Sequence, residues 1–427
     1  MLNSDSPIWR PYTQMKTAAP PLNVIKGEGI WLELDDGRRI MDCISSWWVT
    51  IHGHAHPAIA QTLYRQAQQL EQVIFAGFTH EPAEQLARKL LTHVPASLTR
   101  VFFSDNGSTA VEVALKMAYQ YWHNGGEPQR SRFISFEGGY HGDTIGAMSI
   151  GKSSPWWQAF QPLLFETDVV PFPATFDGDE QVEAKESEAL DKIEFLLNQG
   201  HHAGIVIEPL IQGAAGMRMC RPQFLQALAQ LARQFGVLLI YDEVMTGFGR
   251  TGSLFACLKS ATAPDIICLS KGLSGGCLPL SVTLATDAIY EAFYSNDATK
   301  ALYHGHTYTG NPLACATGLT SLELLQQQPH FQDMENHHRR YLVQYLQGHP
   351  KLEHLRICGT IAAMEVKTDG TDGYFNAIAP ILKAKFLEAG FLIRPLGNTI
   401  YLMPPYCITT DELESIYRVI RQILDEL

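Results

Sequence analysis

Two short apolar runs end in groups that can do chemistry. Val237-Leu-Leu-Ile-Tyr closes on Asp242 and Glu243, and Asp265-Ile-Ile-Cys-Leu closes on Ser270 and Lys271. A carboxylate at the end of a buried strand needs a cationic partner, because an unpaired buried charge is expensive. A protonated pyridine nitrogen is one such partner, and the pairing makes the ring a better electron sink for carbanion chemistry. The competing readings are a cap on the next helix or a bridge to Arg250. A lysine amine can form a Schiff base with an aldehyde cofactor and then act as a general base. Alone, Ser-Lys-Gly reads equally as an ordinary surface lysine after a strand. The spacing favours chemistry. Asp242 and Lys271 lie 271 − 242 = 29 residues apart, one strand-helix-strand unit, so both can face one crevice.

Three further stretches could serve the same crevice. Phe103-Ser-Asp-Asn-Gly107-Ser108-Thr109 turns a strand into a helix, with Ser108 and Thr109 where an N-cap belongs. Free N–H groups and the helix dipole there would hold a phosphate, although a simple capped helix start has the same pattern. Phe136-Glu-Gly-Gly-Tyr140-His141-Gly142-Asp143 is a Gly-rich turn that displays an aromatic residue, and Tyr140 could stack on a flat ring or pack in the core. In His304-Gly305-His306-Thr307-Tyr308-Thr309-Gly310-Asn311-Pro312, the Thr307 hydroxyl could reach a phosphate. Other signals are discounted. His52, His54 and His56 alternate, but they flank Gly53 and precede Pro57, so we read a turn rather than a metal site. Gly247-Phe-Gly249-Arg250-Thr-Gly252 matches a dinucleotide fingerprint only in part and follows the Asp instead of opening a first unit. His201-His202 and His337-His338 read as solvated.

The elements that must position these groups alternate through the middle of the chain. Val101–Ser104, Arg132–Phe136, Asp168–Phe172, Gly204–Glu208, Val237–Asp242 and Asp265–Leu269 read as buried strands, with Leu280–Ala285 as a further one. Thr109–Trp122, Ser187–Gln199 and Pro222–Phe235 read as helices between them, and the polar run Asp177–Ser187 as a surface loop. This alternation predicts an α/β fold with a mostly parallel sheet covered on both faces. Residues 23–42 read as hairpin strands turning at Asp36-Gly37. A helix follows Pro312 through Leu325, then strands near Arg356–Val366 and Ile400–Met403 and helices near Ala377–Ala389 and Thr410–Glu426. The expected division is an N-terminal segment, 1–56, packing with a small α+β domain, 316–427, around a large domain, 57–315.

Composition bounds the partners. The 427 residues suffice for two domains, and the apolar share of 46% with 18% charged suits a globular enzyme. Mean hydropathy is −0.06 and no apolar run approaches a membrane span. Met1 to Arg10 lack the basic start and apolar core of a signal peptide, so a cytoplasmic protein is expected. The net charge of −12 argues against a nucleic-acid partner. The eight cysteines form no C-x-x-C pair, so neither a zinc cage nor any other metal site is expected and the thiols read as reduced.

Taken in order, Gly107-Ser108, Tyr140-His141-Gly142, Glu208-Pro209, Asp242-Glu243 with Gly247-Phe-Gly-Arg250, Ser270-Lys271-Gly272 and Thr307 with Gly310-Asn311-Pro312 resemble the class III aminotransferases over nearly the whole chain. The resemblance implies a fold type I transferase dependent on pyridoxal 5'-phosphate. It implies that Lys271 carries the cofactor, Asp242 pairs with its pyridine nitrogen, and Tyr140 stacks near the ring. Gly107, Ser108 and Thr307 would bind phosphate, Thr307 from the neighbouring subunit of a homodimer with shared active sites. Where many members have proline, His306 stands here and could add a backbone N–H to that contact. Three segments, Ile8-Trp-Arg-Pro-Tyr12-Thr-Gln-Met15, Asp42-Cys-Ile-Ser-Ser-Trp47-Trp48 and Ile393-Arg394-Pro395 with Tyr401-Leu-Met-Pro-Pro-Tyr406, are similar to members that aminate 8-amino-7-oxononanoate with S-adenosylmethionine in biotin biosynthesis. Tyr12, Trp48, Tyr140, Lys271, Gly305 and Arg394 would then line the substrate pocket. The rival readings are an ornithine, 4-aminobutyrate or ω-amino-acid aminotransferase, an aminomutase, the same biotin step with lysine as donor, or a non-catalytic cofactor binder.

Overall fold

The computed structural model describes residues 6–151, 157–327, 329–370 and 373–427; Met1–Asp5 of the leading segment read above lie outside them. Its centre is a seven-stranded sheet. From one edge to the other run Leu98–Ser104, Ser281–Thr286, Ile266–Leu269, Leu238–Asp242, His202–Ile207, Arg132–Phe136 and Asp168–Val170. Ser281–Thr286 is antiparallel to both neighbours, and every other pairing is parallel. Leu238–Asp242 and Ile266–Leu269 are buried at every residue, as strands covered on both faces must be. The helices Gly107–Asn124, Val182–Leu197 and Pro222–Gln234 supply that cover. In an open sheet of this kind ligands bind beyond the carboxyl ends of the strands. Ser104, Phe136, Ile207, Asp242 and Leu269 all end at that edge.

The two ends of the chain meet. Phe391–Leu392 extends the hairpin strands Val24–Glu28, Trp31–Leu34 and Arg39–Asp42, pairing parallel to the last, and Trp31 Nε1 donates to Glu412 at 3.1 Å. A second core joins Ile30, Met41 and Cys43 to residues between Tyr341 and Leu424. The helix Pro312–Gln327 packs on Pro57–Ala67 and Glu81–Leu91, and its buried Ala314, Cys315, Leu322 and Leu325 belong to the first core. The first core also takes in Phe331, Ile361, Ala363, Tyr401 and Met403, so the two cores interleave along the C-terminal residues.

Several local readings are corrected. The supposed loop Asp177–Ser187 is helical from Val182, because Val182, Glu186, Ala189, Ile193 and Leu197 form one buried face. The polar Glu186 is tolerated there because Arg221 pairs with it at 2.7 Å. Arg356–Val366 is two strands, Leu352–Cys358 and Ile361–Val366, reversed at Gly359, where a φ of 60° suits glycine. His202 and His338 are not solvated. His202 is buried against Asp168 at 2.9 Å, and His338 lies 2.8 Å from the Tyr417 hydroxyl and 3.1 Å from the Thr360 carbonyl oxygen. Among the described residues, no helix is long and apolar enough to cross a membrane.

Candidate active site

Four strand ends and the turn Ile44–Trp48 open onto one cavity of about 610 Å³. Its walls include Tyr12, Trp47, Trp48, Gly107, Ser108, Tyr140, Asp242, Lys271 and Arg394. The sequence-predicted residues Gly305, His306 and Thr307 are not in its wall. Their loop is exposed at Gly305 and Thr307, and Gln72 Nε2 donates to the Thr307 carbonyl at 2.7 Å. His306 Nδ1 stands 2.9 Å from Asp105 Oδ2, at the cavity rim, without the alignment of a hydrogen bond. The extra N–H of His306 is already used within its own loop, donating to Thr309 Oγ1 at 2.9 Å.

Lys271 follows the strand Ile266–Leu269 after one residue, Ser270, and takes a positive φ of 40°, which swings it out of the sheet into the crevice. Its Nζ lies 4.9 Å over the Trp48 ring. Burial pushes the ammonium below its ordinary range, against the attraction of Asp242 and Glu208 and with the help of Arg250's charge. A buried lysine whose ammonium is disfavoured gives up its proton more readily than one in water, which suits nucleophilic and proton-transfer work. Asp242 does not bridge to Arg250, whose guanidinium donates to Pro404 and Trp48 carbonyls instead. One Asp242 oxygen accepts Val244 N–H at 3.1 Å; the other meets His141 Nδ1 at 2.7 Å, both side chains being buried. Burial opposes the charge on His141, but the hydrogen bond and charge of Asp242 override it and hold the imidazole above its usual range. Helix capping falls to the adjacent Glu243, which accepts the Ala256 and Cys257 N–H groups at 2.6 and 2.9 Å.

Glu208, at the end of the next strand, is buried and accepts Tyr140 N–H at 3.0 Å and Gly213 N–H at 2.9 Å. Burial, with Asp242's charge, pushes its carboxyl up to about 7. The carboxylate thereby fixes the turn that carries Tyr140. The Tyr140 hydroxyl lies 3.0 Å from Tyr12 Oη and donates to Asp143 Oδ2 at 3.1 Å, and Tyr12 donates to the same oxygen at 2.5 Å. Burial and this shared carboxylate push Tyr12 up to about 12 and raise Tyr140 further. Tyr12 also packs edge-on to Trp47, with centroids 5.7 Å apart. Arg394 completes this wall, 5.1 Å over Trp47 and donating to Tyr374 Oη at 2.9 Å. Among the described residues no carboxylate pairs with it.

The helix start read as a candidate phosphate site differs in detail from the sequence reading. Asn106, not Ser108 or Thr109, is the N-cap. Its side chain accepts Thr109 N–H at 3.1 Å while Thr109 Oγ1 accepts Asn106 N–H at 3.1 Å, a reciprocal capping box. The Gly107 and Ser108 N–H groups are left with no acceptor among the described residues, at the positive end of an 18-residue helix. A Cβ at Gly107 would stand 2.6 Å from Val244 Cγ1, which explains glycine there. Pyridoxal phosphate fits this donor set: unspent N–H groups at a helix start for its phosphate, Asp242 for its ring nitrogen, and the Lys271 amine, without a hydrogen-bond partner among the described residues, for its aldehyde.

Sequence reasoning missed the roles of His141, Glu208 and Asp143. All three stood in quoted motifs, but only their contacts across the fold reveal what they hold.

The chain matches the family Aminotransferase class-III over residues 12–424. It is 53% identical over 98% of its length to the adenosylmethionine-8-amino-7-oxononanoate aminotransferase of Synechococcus elongatus, covering 99% of that protein. To the protein of the same name from Geobacter sulfurreducens it is 41% identical, over 96% of this chain and 93% of the relative. The crystal structure of the Methanocaldococcus jannaschii protein of that name superposes with a TM-score of 0.91 at 36% identity, over 98% of this chain and 97% of the other. An amine transaminase from an uncultivated Pseudomonas species, solved in its PLP-bound form, superposes with a TM-score of 0.89 at 28% identity, over 99% and 98%. A family match across nearly the whole chain, with relatives of this closeness, agrees with the arrangement of Lys271 and Asp242: the chain belongs to the class III aminotransferases, fold type I enzymes that move amino groups with pyridoxal 5'-phosphate.

Proposed function

We propose that this aminotransferase moves the amino group of S-adenosylmethionine to 8-amino-7-oxononanoate, giving 7,8-diaminononanoate in biotin biosynthesis in the cytoplasm. The observation that carries this reading is Arg394. It is a cation without a carboxylate partner among the described residues, in the wall of a cavity that Tyr12, Trp47, Trp48 and Tyr140 also line. A slim acid needs both features: apolar burial for its chain and a guanidinium for its carboxylate. The same flat rings suit a sulfonium by stacking and cation–π contact. The name shared by the full-length relatives points the same way.

Bound pyridoxal phosphate supplies an aldehyde that exchanges nitrogen with amines and a ring that takes up the electrons freed at Cα. The protein's residues do the rest in two halves of a ping-pong cycle. Lys271 Nζ takes the proton from the donor's Cα and later returns one to the acceptor's C7. Asp242, backed by His141, holds the positive charge of the ring nitrogen. Tyr140 covers the ring. Gly107 and Ser108 N–H groups hold the phosphate, joined by Thr307, flanked by His306, from the other subunit of a homodimer. Gly305 of that subunit closes the substrate pocket. Supplying the purified enzyme with 8-amino-7-oxononanoate and, separately, S-adenosylmethionine, lysine, ornithine or 4-aminobutyrate tests the reading. Diaminononanoate should appear with S-adenosylmethionine. Appearance with lysine alone would reassign the donor, and no product with any donor would overturn the acceptor.

A further inference from the structure

The paired tryptophans stand on backbone that side chains seldom adopt. Ser45, Ser46 and Trp48 have φ of 51°, 59° and 68°, the left-handed region that favours glycine, yet none is glycine. The ψ of −87° at Ser46 lies outside even the left-handed helical well. Such a turn persists only where its surroundings over-determine it. Here Asp42 does so. Its carboxylate is fully buried and takes four contacts from three residues. Oδ1 accepts the Ile44 and Ser46 N–H groups at 3.2 and 2.8 Å, and Oδ2 accepts the Ser46 hydroxyl and His54 Nε2–H, each at 2.9 Å. Ser45 Oγ donates to the Met403 carbonyl at 2.8 Å, and Arg250 holds the Trp48 carbonyl from the other side at 3.1 Å.

The turn so held sends its two rings to different parts of the cavity. Trp47 lies between Tyr12 and Arg394. Trp48 is buried with Nε1 donating to Tyr401 Oη at 3.0 Å, and its face looks at Lys271 Nζ. We infer that Asp42 is a positioning residue for substrate binding: its carboxylate clamps a left-handed turn and thereby fixes Trp47 against the acceptor end of the pocket and Trp48 against the reacting end. Asp42 touches no substrate and acts only through the two rings. The assignment of the two ends rests on the substrate reading above; the clamp itself does not.

The test compares Asp42→Ala with Asp42→Asn in the holoenzyme. Asparagine keeps an oxygen for the two N–H groups and loses mainly the His54 arm, whereas alanine removes every arm. In Asp42→Ala, KM for both substrates should rise about tenfold or more while kcat stays within about threefold, because ring placement acts on binding before chemistry. Peptides spanning residues 44–50 should exchange amide hydrogen faster, with the strand Leu238–Asp242 unchanged and the visible cofactor band retained. Asp42→Asn should stay within about threefold of the parent in KM. An Asp42→Ala protein with parental KM and parental exchange overturns the inference, as does a loss confined to kcat. Should Asp42→Ala not fold, the double variant Ser46→Ala with His54→Ala, which removes both Oδ2 arms, decides: a raised KM for either substrate supports the clamp and a parental KM overturns it. If the parent itself fails to turn over this substrate pair, the substrate reading falls, and the exchange contrast still judges the clamp.

Discussion

At the scale of single residues, Asp242 and Lys271 could be read from the sequence because each ends an apolar strand and one crossover separates them. Asp242→Asn should keep fold and cofactor yet lose about a hundredfold or more in kcat, since an amide cannot hold the charge of a protonated ring nitrogen. Near-parental single-turnover rates would refute that role. Arg394→Ala should lower kcat/KM by about a hundredfold, the usual loss for a charge-assisted hydrogen bond to ligand. Tyr12→Phe should slow the half-reaction with 8-amino-7-oxononanoate more than the half-reaction with the donor; stopped-flow spectra of the two cofactor forms separate them. His141 and Glu208 were not legible as partners, because their contacts join residues 101 and 68 positions apart. Glu208 makes a pH prediction. Its folded-state carboxyl sits near 7, above the ordinary carboxylic range near 4. The folded state therefore favours the protonated acid. The stability this contributes is fully present below about pH 4 and is lost as pH rises through about 7. Glu208→Gln cannot ionise. Its melting temperature, relative to the parent, should rise across that window. A pH-independent difference would mean that Glu208 is already charged in the acid range.

At the scale of elements, the strand–helix alternation was legible because buried parallel strands are apolar throughout and their crossovers amphipathic. The start of Val182–Leu197 was not, because its first turns look solvated until Arg221, a residue of the next crossover, neutralises Glu183 and Glu186. The N-cap was misplaced by two to three residues for a related reason: Asn, Ser and Thr all suit the position, and only the backbone shows that Asn106 takes it. The cradle built there is tight. Gly142 has a φ of 126°, and a Cβ on it would lie 2.0 Å from Ser108 Oγ. Gly142→Ala must therefore push the Tyr140 turn away from the helix start. It should weaken cofactor retention about tenfold or more, seen as faster loss of the visible band on dialysis, while the far-ultraviolet circular dichroism holds. Unchanged retention would show that the turn and helix start do not cooperate in holding the cofactor.

At the scale of the molecule, the packing of the helix Pro312–Gln327 on Pro57–Ala67 and Glu81–Leu91 was not legible, since those partners meet only in space. The loop bearing Gly305, His306 and Thr307 reaches the rim of its own chain's cavity through His306 but does not line it, and Tyr303 and Tyr308 beside it are exposed. Both facts accord with the proposed dimer. Mixing inactive Lys271→Ala protein with an inactive Thr307→Ala protein should restore about a quarter of parental activity, because half the random dimers carry one intact site of two. No recovery from verified heterodimers would place Thr307 outside the neighbour's site. The central claim is intermolecular transfer of nitrogen from donor to ketone by one enzyme. It is tested most directly with S-adenosylmethionine labelled with ¹⁵N at its amino group and unlabelled 8-amino-7-oxononanoate. The account predicts 7,8-diaminononanoate carrying a single ¹⁵N, at C7. An unlabelled product, or label returned only to the donor, would contradict it.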